Sequence, residues 1–475
     1  MSRGRVSTDK RGRGALLLAS TVVLGACRGD ATPEGGGGSA ESGLVGSPEA
    51  SSVEGGEAGD DSGLPVDASA DSTVVVEAGA DDSGPGKDAP APLATSVLAG
   101  DSFSCATLRD GTGVCWGEGS HGELGAGPDV RACHDALPDG GLVSDGSCDL
   151  LPSPITGLTS AVSMAVFGSP GSWACALRSQ GDVACWGSNP GGALGNGAIT
   201  SNVPVSVAGI TDATAVSVGG DFACALRAQG AVACWGNNGY GQLGHPSTDT
   251  CSSGSTSTPC SKAPDLVTGL TGVTAVAAGA DFACAVYSNG DVACWGNNAF
   301  GQLGVGGTQN QSAPVGVLSL QGALQGSPAS AIAAGDAFAC AIVKGAVKCW
   351  GDNREGQLGS ASAIPACASG TPSCSTTPVT VSGVSNAIAV AAGGTFACAL
   401  LSDHTVWCWG SYLTTVAAAA APVPGLTGVA AISAGSTHAC ALLNSGDVEC
   451  WYDNRWGQLG DGTTQDSPAP VHVNL

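Results

Sequence analysis

Beyond residue 92 the chain alternates apolar with small or polar positions in short runs broken by glycine. The clearest stretch is VAAGADFACAVYSNGDVACWGNNAFGQLG, from Val276 to Gly304. A period of two sends Phe282, Cys284, Val286, Val292 and Cys294 to one face of a sheet, and Ala283, Ala285, Ala293 and Trp295 to the other. Neither face is polar, so the pattern predicts a hairpin buried on both sides. With Cys284 opposite Cys294, Val286 faces Val292 and Tyr287 faces Asp291. Ser288-Asn289-Gly290 is then a three-residue loop whose last position takes the left-handed backbone that Gly supplies.

The stretch occurs seven times. The other copies centre on Cys105/Cys115, Cys175/Cys185, Cys224/Cys234, Cys340/Cys349, Cys398/Cys408 and Cys440/Cys450. The same register puts Gly third at Gly111, Gly181, Gly230 and Gly446. In the fifth copy the cysteines are one residue closer, and the loop shrinks to Lys344-Gly345, a permitted two-residue turn. The sixth copy has His404 at the Gly position, a local weakness. Upstream, Val273 to Gly279 reads as an inner strand of small residues. Downstream, segments such as Ala313-Pro314-Val315-Gly316-Val317 read as outer edge strands, where Pro is tolerated. Four strands per unit and seven units predict an all-β fold, a seven-bladed β-propeller of four-stranded blades over residues 93–475. A Trp follows the second cysteine of each copy (Trp116, Trp186, Trp235, Trp295, Trp350, Trp409, Trp451), and packing between blades is its expected role. The last copy ends in a Pro-Val strand, Pro468 to Val473, with no blade after it. The first starts at its inner strand, Thr95 to Ala99, with no Pro-Val strand of its own. One of these ends is expected to complete the ring beside the other.

The recurring elements Ala-Gly-x-x-Phe-x-Cys-Ala-Leu and Gly-x-Val-x-Cys-Trp-Gly-x-Asn-x-x-Gly-Gln-Leu-Gly resemble the repeat of the regulator of chromosome condensation family and, more loosely, BNR-type repeats. The resemblance runs from Leu93 to Leu475 and implies a seven-bladed propeller. Gly-Gln-Leu-Gly stands at Gly241–Gly244, Gly301–Gly304, Gly356–Gly359 and Gly457–Gly460. It varies to Gly-Glu-Leu-Gly at Gly122–Gly125 and Gly-Ala-Leu-Gly at Gly192–Gly195. The sixth copy lacks it: SYLTTVAAAAAPVPGL follows Trp409-Gly410, and a truncated loop is expected there.

The N-terminal part has a different character. Residues 1–14 carry Arg3, Arg5, Lys10, Arg11 and Arg13, and an apolar run from Ala15 to Ala26, too short to span a bilayer, follows. Leu24-Gly25-Ala26-Cys27 resembles the bacterial lipobox. The resemblance implies a signal peptide over 1–26 and Cys27 as a lipidated mature N-terminus, with several acyl chains giving a stable anchor. A plain secretory signal with a stray Cys is the alternative. Arg28 follows, so the Asp that retains lipoproteins in the inner membrane is absent, and the resemblance implies the bacterial outer membrane or cell surface. Residues 28–92 hold 14 acidic and two basic side chains and no aromatic. Such a segment buries too little apolar surface to offset its ordering entropy. Residues 27–92 are therefore expected to be a disordered tether with a reach of about 45 Å.

Cysteine use fits export. Of 21 cysteines, fourteen lie in the repeated pairs and six form the short-range couples Cys133/Cys148, Cys251/Cys260 and Cys367/Cys374; Cys27 is left over. Paired cysteines imply an oxidising compartment. A hairpin bridge closing about 11 residues contributes at most ~2.8 kcal/mol. Free buried cysteines are the alternative.

Charge and site chemistry narrow the function. The net charge is −24, and loss of the signal peptide leaves the chain near −28, which disfavours phosphate backbones and so nucleic acid. The six histidines (His121, His134, His245, His404, His438, His472) show no metal-ligand spacing, and no metal, cofactor or catalytic residue is expected. The Asp-box of propeller sialidases does not match the turns here, where Gly and Asp are transposed. The nine Lys or Arg from Arg109 to Arg455 are too few for an arginine clamp. The repeats differ most in three inserts, 126–153, 245–263 and 360–377, each carrying one extra cysteine couple. They fall at one point of the repeat, so they are expected on one face as stapled loops. Asp129, Asp135, Asp139, Asp145 and Asp149 in the first insert match no calcium-loop pattern. The expected function is a monomeric, non-catalytic module that binds an envelope protein or glycan. The alternatives are an inhibitor of a secreted enzyme, because a secreted bacterial propeller of this repeat family blocks β-lactamases, and a propeller hydrolase. Guanine-nucleotide exchange on a Ran-type GTPase, the activity of the family's nuclear members, is disfavoured by compartment.

Overall fold

The computed structural model describes residues 93–475 apart from 128–146, 168–171, 190, 198–199, 248, 254–255, 322–327, 361–366, 368–372 and 414. The signal peptide, the tether and Cys27 thus lie outside the described residues. The described residues form seven antiparallel sheets. The blades span residues 94–154, 161–206, 213–266, 273–316, 329–380, 387–422 and 429–472. Within each blade the strands pair in chain order, and the first strands meet one another in a closed ring around the axis.

The hairpin register follows the alternation. Cys284 lies opposite Cys294 and Val286 opposite Val292. Gly290 takes φ +79°, and in the fifth blade Lys344 and Gly345 take +53° and +77°. His404, in place of Gly, is held at +66°. The Pro-bearing segments are outer strands, as in Gln311–Gly316.

Alternation also explains how blades stack. The cysteine face of each blade packs on the Ala/Trp face of the next. Phe282, Cys284, Val286 and Cys294 meet Ala339, Ala341 and Trp350. Ala283, Ala285 and Trp295 meet Phe222, Cys224 and Cys234 of the preceding blade. The core is therefore seven interblade layers. Six of the tryptophans also donate their indole N–H to the preceding blade's loop. Trp295 bonds Gln242 O at 2.8 Å, Trp350 bonds Gln302 O at 2.8 Å and Trp186 bonds Glu123 O at 2.8 Å. Trp235, Trp409 and Trp116 reach Ala193, Gln357 and Gln458 in the same way.

One expectation needs correction. No terminal strand completes another blade. Blade one has its own outer strand, Cys148–Pro154, and blade seven keeps Ser467–His472. The chain enters on an inner strand and leaves on an outer one, so no strand is left to exchange. The ring instead closes by interblade packing of Cys440 and Cys450 on Ala106 and Trp116. The bonds Ala94 N–H to Gly446 O (3.2 Å) and Ser436 N–H to Gly100 O (2.9 Å) complete the seam. The blades have the expected four strands, and the third carries one more. Its insert adds a fifth, Asp249–Ser253, on the extended strand Thr256–Leu266.

Candidate binding face

One end of the propeller gathers the variable features. The turn between first and second strands sits beside the end of the third. Asn237 N–H donates to Asp221 O, and Asn297 N–H to Asp281 O, both at 2.9 Å. The inserts leave from the loops that follow these third strands, so they open at the same end. The second insert is a hairpin crossed by Cys251–Cys260, and Cys367–Cys374 closes part of the third. In the first, Cys133, Asp129, Asp135, Asp139 and Asp145 lie outside the described residues, whereas Cys148 is disulfide-bonded and Asp149 belongs to the outer strand. The hairpin pairs Cys105–Cys115, Cys175–Cys185, Cys224–Cys234, Cys284–Cys294, Cys340–Cys349, Cys398–Cys408 and Cys440–Cys450 are all joined. They lie in the buried interblade layers.

Around the axis this end is acidic. Asp101, Asp221, Asp281 and Asp336 occupy the first turns of blades one, three, four and five. Burial raises the pKa of each above the usual carboxylate value. Asp336 is pushed up to about 7, first by burial and then by repulsion from Asp101, Asp281 and Asp352. Two arginines on the same end already have partners. Arg354 forks onto Asp352 at 2.8–3.0 Å and stacks 4.6 Å above the Phe300 ring. Arg455 bonds Asp453 at 2.7 Å. Burial opposes ionisation of Asp453, but the bonds from Arg455 prevail and hold it below the usual range. The first strands line a narrow axial channel with small side chains such as Ala99, Ala278, Ala334 and Ala392.

One pair has a catalytic look. Ser104 Oγ lies 2.7 Å from His438 Nε2. Both residues are 0% exposed, so substrate cannot reach them. Burial drives His438 down to about 4. The pair replaces the Ala and the aromatic residue (Phe, or Trp173 in blade two) of other blades and sits in the closing seam. Of the remaining histidines, His245 is buried against Cys234 O, His404 fills a turn, His472 lies in the last outer strand and His134 lies outside the described residues. Among the described residues, no helix is long and apolar enough to cross a membrane.

Two profiles, each described as "Regulator of chromosome condensation (RCC1) repeat", match the chain. One covers residues 180–226, 229–286, 289–342 and 344–400, the other 213–242, 273–302, 329–357 and 429–458. The chain carries RCC1 repeats. Human "E3 ubiquitin-protein ligase HERC2" is 41% identical over 96 residues, which are 20% of this chain and 2% of that protein. The chain therefore spans only a small fraction of that relative. Among solved structures, human WBSCR16 superposes with a TM-score of 0.63 at 24% identity, covering 76% of this chain and 93% of that one. Yeast RCC1 (Prp20), solved bound to Kap60, gives 0.61 at 20% identity, covering 81% and 85%. At these identities the likeness speaks for the fold.

The sixth blade has the truncated loop that its sequence leads one to expect. Blade six has no Gly-x-Leu-Gly loop; its third strand, Val406–Tyr412, turns straight into Thr415–Pro422. Trp451 consequently finds no carbonyl, and its buried Nε1 has no partner. Aromatic side chains fill the gap: Tyr412 stacks on Tyr452 at 4.2 Å, with Phe396 edge-on at 5.7 Å from Tyr452. Tyr452 stands where the other six RCC1 repeats have Gly after Trp, and its φ is +89°. The signal was present in the sequence as Trp451-Tyr452, which breaks the Trp-Gly pair.

Proposed function

We propose that this RCC1-repeat propeller is a non-catalytic binding module, held at a bacterial envelope by a lipid on Cys27, whose insert-bearing face takes a cationic protein segment. The observation that carries this reading is the set of Asp101, Asp221, Asp281 and Asp336 around the axis, while Arg354 and Arg455 are neutralised by their own acids. Of the protein and glycan partners the sequence leaves open, a Lys/Arg-rich segment suits this charge. Stapled inserts on a rigid ring support recognition, because little ordering entropy is lost on binding. The buried Ser104–His438 pair supports the non-catalytic reading.

Binding of a Lys/Arg-rich peptide to the full chain should weaken steeply as salt rises. It should tighten as pH rises through about 7, because Asp336 gives up its proton there. Binding indifferent to both would sink the reading. Anchoring has its own test. Export should be followed by globomycin-sensitive processing, and Cys27→Ala should abolish both the processing and membrane association. Normal processing of that variant removes the lipid from the account.

A further inference from the structure

The Gly-x-Leu-Gly loops of blades three, four, five and seven share an internal scaffold. Asn238, Asn298, Asn353 and Asn454 each accept the backbone N–H of the loop leucine, at 2.9–3.1 Å. Gln242, Gln302, Gln357 and Gln458 each accept the backbone N–H two residues before them, at 2.8–2.9 Å. Blade one departs at both positions. Gly119 stands in place of Asn, and Glu123 in place of Gln.

Glu123 keeps the glutamine's backbone contact: its Oε2 accepts from His121 N–H at 2.7 Å. Its Oε1 then lies where a glutamine has its amide nitrogen. That oxygen is buried without a hydrogen-bond partner, on a side chain that is 0% exposed. It faces His121 Nδ1 across 3.9 Å. Glu118 completes the group, and one ligand atom from each of the three residues lies within 4.8 Å of the others. Ser120 Oγ connects them, donating to Glu118 Oε1 at 2.8 Å and lying 3.0 Å from His121 Nδ1.

An ionised oxygen buried without a partner is costly. Burial accordingly pushes the Glu123 carboxyl pKa above its usual value. We propose that Glu118, His121 and Glu123 form a site for one divalent transition-metal ion of the Zn2+ class. Two carboxylates and an imidazole suit such an ion, at bond lengths of about 2.0–2.2 Å. The ligand atoms must draw together, and the loop lacks the Asn that pins its counterparts. The ion takes over that pinning role. The His121 side chain is 57% exposed, so the ion keeps an open position toward solvent for water or a partner's side chain.

The test uses the full chain with disulfides intact, cleared of metal by a chelator and titrated with zinc chloride by calorimetry. Cobalt absorption serves as a second readout. One equivalent should bind. Glu123→Gln and His121→Ala should each weaken binding at least tenfold. Glu123→Gln installs the residue four other loops carry, so it should keep the far-UV spectrum and raise the metal-free unfolding midpoint. Absence of saturable zinc binding by the unaltered chain, or unchanged affinity in both variants, overturns the proposal.

Discussion

Gly435→Ala should destabilise the propeller by about 3 kcal/mol or more. The reason lies in how closely the blades approach at the axis. A β-carbon at Gly435 would overlap the Gly100 carbonyl oxygen of blade one. Gly219, Gly279, Gly335 and Gly393 stand in the same relation to the next blade's carbonyl. The facing carbonyl is backbone and cannot swing aside, and a ring of the same turn crowds each position as well. Five glycines that open the turn between first and second strands are thus fixed by neighbours, and Gly435 lies in the seam where the ring closes. Gly307→Ala is the control. Its β-carbon meets nothing within 4 Å, and the change should stay within about 0.5 kcal/mol. Urea denaturation of both variants with disulfides intact measures the difference. Equal midpoints would mean that the blades slide apart at little cost.

Trp295→Ala should cost about 3–5 kcal/mol, the range for removing a large buried aromatic. Trp295 is fully buried between blades three and four and bonded to Gln242 O at 2.8 Å. The conservative change separates packing from hydrogen bonding. Trp295→Phe leaves the Gln242 carbonyl without its donor, whereas Trp451→Phe removes an N–H that has no partner. The first should therefore cost about 1 kcal/mol more than the second. Equal losses would show that the indole bonds add nothing to the interblade layers.

Most of the architecture could be read from the chain because the repeat supplies both its period and its register. Seven cysteine pairs marked the hairpins, and the shorter fifth pair fell on a legal Lys344-Gly345 turn. Alternation gave the faces, but the identity of the neighbour across each face emerges only in the ring. Ser104 and His438 are 334 residues apart, and nothing local shows that a Ser for Ala and a His for Phe answer each other. Tyr412 and Tyr452 are hidden in the same way: each is an oddity in its own blade, and the missing loop of blade six explains both. Ring closure was misjudged because a terminal Pro-Val strand looks unpartnered until the first blade is seen to build its outer strand beyond the insert. Glu123 was legible as a Gln-to-Glu change within the repeat. Its burial was not, because loop residues of this kind are commonly solvated.

The acidic face shows the same division. Its aspartates are scattered through the sequence, and the ring alone brings Asp101, Asp221, Asp281 and Asp336 to one end. The most direct measurement is calorimetric titration of a Lys/Arg-rich peptide into two charge-matched variants. One carries Asn at Asp101, Asp221, Asp281 and Asp336; the other carries Asn at Asp110, Asp291, Asp403 and Asp447, on the hairpin turns at the opposite end. The account predicts at least a tenfold loss of affinity in the first variant and none in the second. Equal affinity in the two would contradict it, leaving only the general negative charge of the chain.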